Sequence, residues 1–261
     1  MPLLSATLLL FTLAKAPKHA EPPRKVGALV QACEQGDLVA CNNAGVLLSQ
    51  GQGAPAEPKR AAGLYRKACD GGDGSGCANL ARLYLTGNGV EHDEALARPL
   101  LRKACDAGDA SGCGTLGALI EGEDRATAVA LYRSACQGGH AVSCSNLGYL
   151  HQEGRGVSED LGEAQRLYRQ ACQGGSGSGC SNLGTLYATG RGVDLDLPEA
   201  LRWFRQGCEA GDGRGCHDAA AALLSGGAEG TPTREARRLL QRSCDLGNTD
   251  GCRDLKKVSG R

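Results

Sequence analysis

The stretch Leu167-Tyr-Arg-Gln-Ala-Cys-Gln-Gly-Gly-Ser-Gly-Ser-Gly-Cys-Ser-Asn-Leu-Gly-Thr-Leu-Tyr187 decides the fold. Its two cysteines, Cys172 and Cys180, stand eight residues apart, and the same pair recurs along the chain as Cys33/Cys41, Cys69/Cys77, Cys105/Cys113, Cys136/Cys144, Cys208/Cys216 and Cys244/Cys252. All fourteen cysteines are used. Successive pairs are 36 residues apart, except from Cys105 to Cys136, where the step is 31. Self-similarity at such a period marks a stacked-repeat architecture, in which each unit buries its apolar face only against its neighbours. The expected fold is all-α, an α/α superhelical solenoid of two-helix repeats.

Working outward from Cys180, Leu183, Leu186 and Tyr187 fall three and four apart and form one apolar stripe of a first helix. Gly190 to Gly192 stops it, because glycine accepts the left-handed backbone of a helix end. A second helix is expected from about Pro198 to Cys208, with Pro198 in the first turn, where its missing N–H costs nothing. Leu201, Trp203 and Phe204 give it a broad apolar face, and residues 209–215 turn the chain into the next unit. On this register a single repeat domain spans 24–252. It comprises a half-unit at 24–40 and units 41–76, 77–112, 113–143, 144–179, 180–215 and 216–251, followed by a tail at 253–261. Each full unit thus opens on the second cysteine of a pair. The third is five residues short where others carry Gly-x-Gly, the signature of a shortened loop or of a bend in the surface. Pro99 falls inside a second helix, which it should kink or shorten.

Composition limits the partners. Lys plus Arg and Asp plus Glu are 29 each, so the chain has no net charge to draw nucleic acid or an anionic membrane. The cysteine spacing is wrong for zinc, no histidine recurs in register, and C-x-x-C is absent. No metal and no cofactor is expected. Structural disulfides between i and i+8 are the favoured reading, with reduced core cysteines the alternative. Each closed loop is worth roughly 2.5 kcal/mol in the chain-entropy model. Such bonds imply a secreted or periplasmic location. The apolar run from Leu3 to Ala14 has the length of a signal-peptide core, so residues 1–20 are expected to be a signal or anchor. A degenerate first helix competes with that reading, since Ser5 stands 28 residues before Cys33.

The string Gly-Cys-Ser-Asn-Leu-Gly-Thr-Leu-Tyr-Ala-Thr-Gly-Arg-Gly-Val (179–193) resembles the Sel-1-like repeat, a relative of the tetratricopeptide repeat. Leu-Tyr-Arg-Gln-Ala-Cys-Gln-Gly-Gly (167–175), with the C-x7-C pairing, is similar to the cysteine-rich Hcp branch. The resemblance implies one disulfide per repeat and an adaptor or secreted interaction protein. It also brings two alternatives: the weak β-lactamase or penicillin-binding activity described for some Hcp relatives, and an assembly factor in a mitochondrial intermembrane space. The serine-enzyme constellation of a lactam hydrolase is missing, with neither Ser-x-x-Lys nor Lys-Thr-Gly in the chain. Its five histidines, His19, His92, His140, His151 and His217, are dispersed.

The function expected is therefore a monomeric interaction scaffold without a catalytic residue, its first helices lining a concave surface for a protein, peptide or glycan. Asn43, Asn79, Asn146 and Asn182 recur two residues after the second cysteine and read as structural amides bonding the turn, or else as a ligand ladder. Positions that vary in the register are better binding candidates. Five residues after the second cysteine, these include Arg82, Tyr149 and Thr185. Tyr149 is the aromatic that lies outside the recurrent apolar slots, and exposed tyrosines anchor interfaces. His151 takes an apolar slot, which implies local repacking.

Overall fold

The computed structural model describes residues 23–52, 55–226 and 234–259. The expected segment at 1–20 lies outside them. The described residues form helices in two alternating layers and contain no strand. One layer holds α2 (Leu38–Gln50), α4 (Gly74–Thr86), α6 (Ala110–Ile120), α8 (Ala141–Gln152), α10 (Gly177–Thr189), α12 (Gly213–Gly226) and α14 (Thr249–Ser259). The other holds α1 (Pro23–Glu34), α3 (Pro58–Asp70), α5 (Glu94–Asp106), α7 (Arg125–Gln137), α9 (Leu161–Gln173), α11 (Leu197–Glu209) and α13 (Arg234–Asp245). Each helix packs on the next in sequence, which makes an all-α solenoid.

Short polar side chains start the helices. Asp160 accepts from Glu163 N at 2.9 Å to cap α9, and Asp196 accepts from Glu199 N at 2.9 Å to cap α11. On the even side Asp109 accepts from Gly112 N at 2.8 Å, ahead of Cys113.

The cysteine pairs Cys33–Cys41, Cys69–Cys77, Cys105–Cys113, Cys136–Cys144, Cys172–Cys180, Cys208–Cys216 and Cys244–Cys252 are all disulfides, with Cα atoms 4.4–4.7 Å apart. Each staples the end of an odd helix to the first turn of the following even helix. No free cysteine remains. Such bonds belong to an oxidising compartment.

The second cysteines correct the expected boundaries. Cys41, Cys77, Cys113, Cys144, Cys180 and Cys216 do not open their units, and Cys252 does not close the domain. Each is instead the fourth residue of an even helix. The reason is a backbone bond. The amide of Cys41 donates to Asp37 O at 3.0 Å, that of Cys77 to Asp73 O at 3.1 Å and that of Cys144 to His140 O at 3.3 Å. Cys216 bonds Asp212 O at 3.1 Å and Cys252 bonds Asn248 O at 3.2 Å in the same way. These are i to i−4 bonds to the cap residue, so three residues ahead of each cysteine are already helical. The tail expected at 253–261 likewise continues α14 as far as Ser259. The seven-residue turn expected at 209–215 shrinks to residues 210–212, and Gly213 and Gly215 belong to α12.

Those helical glycines serve close packing. A Cβ on Gly179, immediately before Cys180, would meet Ala171 Cβ at 2.5 Å and Cys172 N at 3.0 Å. Only a residue without a side chain lets the odd and even helices cross there. Gly175, by contrast, has φ +89° and makes the turn itself.

Inside each unit the even and odd helices meet through a matched pair. Tyr65, Tyr132, Tyr168 and Phe204 press on Gly45, Gly117, Gly148 and Gly184, where a Cβ would come within 2.6–3.1 Å of the ring. Where the odd helix carries leucine, the partner is alanine: Leu101 packs with Ala81, and Leu240 with Ala220. Large faces nothing and medium faces small, so the interhelix volume stays constant. The chain's high glycine content is thus partly a core feature.

Pro99 lies within α5, which keeps the 13 residues of its counterparts α3, α9 and α11 and is not shortened. Buried Ala97, Leu101 and Ala104 hold the helix on both sides of the proline. The short unit loses its residues between helices: 121–124 alone join α6 to α7. Elsewhere a Gly-x-Gly loop folds over the start of the preceding odd helix, with the Gly89 Cα facing Lys59 N so closely that a Cβ would lie 2.6 Å from it. The short loop replaces this with an ion pair. Arg98 donates to both Glu123 oxygens at 2.6–2.7 Å and to Glu94 at 2.7 Å.

Candidate functional site

The even helices touch one another from unit to unit, α2 to α4, α4 to α6, α8 to α10, α10 to α12 and α12 to α14. Polar side chains cross three of these contacts as rungs, α2 to α4, α8 to α10 and α12 to α14. The residue one past the second cysteine in one unit bonds the residue two past it in the next. Asn79 Nδ2 donates to Asn42 Oδ1 at 2.8 Å, and Asn182 Nδ2 donates to Ser145 Oγ at 3.4 Å. His217 Nε2 lies 3.0 Å from Asp254 Oδ2. The recurrent asparagines Asn79 and Asn182 therefore bond the neighbouring unit, not the turn. Turn groups are already satisfied by the caps, which leaves the amides free to reach sideways.

Three contacts lack such a rung: Ala78 has no polar group to offer α6, Ser181 Oγ is buried without a partner beside α12, and α6 offers none to α8. Gly114 stands where Asn42, Ser145 and His217 stand in other units, so Asn146 has no side chain to meet on α6. It hydrogen-bonds the Tyr132 phenol instead. The same phenol donates to Glu121 Oε2 at 3.0 Å, and burial together with that carboxylate pushes its pKa up. The contact between α6 and α8 is correspondingly slighter than at the other successive even helices. A cavity of about 430 Å3 opens beside this gap and runs across α8, α10 and α12. Tyr149 and Asn146 line it from α8, Ser178 and Asn182 from α10, and Asp212 and Arg214 from the start of α12. Glu121 closes the α6 end.

The charges around the cavity are engaged with one another. The Arg214 guanidinium donates to Asn182 Oδ1. Arg155 lies 3.8 Å from Glu121 and 5.8 Å from the centre of the Tyr149 ring. Asp212 accepts from Arg214 N at 3.1 Å through Oδ1, while its Oδ2 is buried without a donor.

The structure separates the three binding candidates. Tyr149 is 42% exposed and lines the cavity. Thr185, on α10, is half-buried and gives its hydroxyl to Ser181 O at 3.0 Å. Arg82 is exposed on α4, away from the cavity, and donates to Asn79 Oδ1 at 3.2 Å. His151 sits half-buried in its apolar slot with Nδ1 buried and unbonded. Asn146 stands out in the register as one of the recurrent asparagines, whereas Arg214 does not. The one sequence signal near the cavity is Gly114, the position one past the cysteine that carries no side chain at all.

A serine and a histidine do meet, His140 Nδ1 lying 2.7 Å from Ser143 Oγ. Ser143 is only 1% exposed, so the pair ties the first turn of α8 and offers no nucleophile to solvent. Desolvation holds the His140 pKa below its usual value, against the pull of Asp109. Among the described residues no three His, Cys, Asp or Glu side chains gather as a metal site. No described helix is long and apolar enough to cross a membrane.

The family model of the Sel1 repeat matches residues 38–73, 74–109, 114–140, 141–176, 177–212 and 215–248, most of the chain. Four of these spans, at 38, 74, 141 and 177, begin where an even helix begins. Among solved structures, a Sel1 repeat protein from Oxalobacter formigenes is similar over 85% of this chain and 98% of its own, at 24% identity and a TM-score of 0.74. A protective antigen of uropathogenic Escherichia coli strains, which displays an SLR fold, is similar at 30% identity and a TM-score of 0.67. That match covers 87% of this chain but only half of the antigen. An immunity protein from Pseudomonas aeruginosa shares the fold at 21% identity, with a TM-score of 0.56 over 84% of this chain and 83% of its own. Among curated proteins none matches. The repeat fold is that of a protein-interaction scaffold, and the seven disulfides fit its cysteine-rich Hcp-type pattern. The chain belongs to the Sel1 repeat family.

Proposed function

We propose that this chain is a secreted or periplasmic interaction scaffold that holds its partner on the even-helix face, around Tyr149. Two features support export. Fourteen cysteines in seven disulfides need an oxidising compartment, and the apolar run at Leu3 to Ala14 suits a signal or anchor. The repeat domain is then the mature working part. Closer contact among even helices than among odd ones makes the even face the shorter side, hence concave. The observation that carries the reading is the cavity across α8, α10 and α12, with an exposed aromatic at its edge.

Affinity capture from the native cell envelope, with wild type and Tyr149→Ala side by side, tests it. The expected result is a partner retained by wild type and lost by the variant, with an unchanged thermal midpoint because Tyr149 is exposed. A partner captured equally by both proteins would remove Tyr149 from the site.

A further inference from the structure

The lining of the Tyr149 cavity constrains what fits it. Anionic ligands are disfavoured, because both cations at hand are engaged, Arg214 on Asn182 and Arg155 beside Glu121. Glu121 accepts from Tyr132 and faces Arg155, whereas the buried Asp212 Oδ2 has no donor and is left to accept from a ligand. A ligand carboxylate, including that of a β-lactam, finds no unengaged cation. An apolar peptide side chain finds no pocket either, since Tyr149 is the only large apolar surface among the seven side chains already named around the cavity. What remains is a ring face at one side and, across from it, planar amides and hydroxyls that both donate and accept. Asn146 is released from the rung ladder by Gly114, and Ser178 and Asn182 sit opposite on α10. At about 430 Å3 the space is within the range of small-ligand sites.

We infer that this cavity binds a neutral saccharide unit, with the C–H face of the sugar on the Tyr149 ring and its hydroxyls on Asn146, Ser178 and Asn182. A sugar hydroxyl donates and accepts at once, which matches a lining of mixed polarity with an unpaired acceptor at Asp212 Oδ2. The partner on the concave face is then a glycan or a glycan-bearing molecule. This rests on the proposed partner face, and it names the chemistry recognised there.

The test titrates the full oxidised chain with soluble tri- to hexasaccharides of N-acetylglucosamine, glucose and mannose, followed by calorimetry and by saturation transfer to the sugar protons. At least one series is expected to bind. Tyr149→Ala should weaken it roughly tenfold, the loss of one anchoring contact, while Tyr149→Phe keeps the ring and most of the binding. A helical melt of each variant checks that the fold is intact. If no oligosaccharide binds, or if binding survives Tyr149→Ala, the saccharide inference is wrong. A peptide library that binds this face while every sugar fails would overturn the inference and leave the proposed partner face standing. A captured partner indifferent to Tyr149 would remove the partner face, while sugar binding lost in Tyr149→Ala would still uphold the saccharide site.

Discussion

The junctions that α8 makes with its two even neighbours are built differently. Toward α10 the plan is regular: Gly179 lets α10 cross the intervening α9, Ser176 caps through Gly179 N at 3.3 Å, and Ser145 receives Asn182 as a rung. Toward α6 three positions change together. His140 replaces the capping Asp or Ser, Ser143 replaces the glycine, and Gly114 replaces the rung residue. These changes are one change, because a side chain on Gly114 would collide with Ser143 Oγ and come within 2.5 Å of His140 Nδ1. A repeat array can therefore rebuild a junction when neighbouring positions change as a set. Here the change turns Asn146 away from the neighbouring even helix to the Tyr132 phenol, beside a cavity.

The sharpest way to break the comparison is to add a methyl group at the crossing slot. Gly179→Ala forces a Cβ against Ala171 and the Cys172 backbone and should cost about 2–3 kcal/mol by overpacking. Ser143→Ala occupies the same slot at the altered junction, where only the His140 bond is lost, and should cost about 1 kcal/mol. Urea unfolding of both variants checks this. Equal costs would mean that the two junctions pack alike.

Much of this was legible in sequence, and what was missed has a physical reason. The cysteine period revealed the repeat, the pairing, the two helices per unit and the shortened loop, because each is a local pattern repeated seven times. The register places the unit boundaries three residues late, at Cys41, Cys77 and their counterparts, because in most units glycines before the second cysteine read as turn. Turn glycines and packing glycines look alike until the neighbouring Ala171 is placed. The pairing of Tyr168 with Gly148, and of Leu101 with Ala81, was written in the register but needed knowledge of which slots face each other. The cavity could not be read, since Gly114, Asn146 and Arg214 are distant in sequence and meet only through stacking.

A change of pH should separate the junctions more gently. Folded His140 resists protonation, so its pKa lies below that of the unfolded chain, near 6.5. The unfolded state then binds the proton first. Stability tied to this group is full above about pH 6.5 and is lost as pH falls through the folded value. Between pH 7 and 5 the thermal midpoint of wild type should fall more than that of His140→Gln. Parallel curves would show that His140 is not desolvated there.

The smallest effect belongs to the ion pair that replaces the Gly-x-Gly contact. Glu123 is exposed and Arg98 half-buried, so Arg98→Ala should lower the midpoint slightly, more in low salt than in high salt. A large loss independent of salt would show that Arg98 packs the short loop by its aliphatic stem.

The most direct test of the account is a thiol count on the chain recovered from its native host without reductant. Alkylation under denaturing conditions, followed by intact mass, should find no reactive thiol, and fourteen after reduction. Fourteen thiols in the unreduced protein would contradict the stapled scaffold, and with it the case for export.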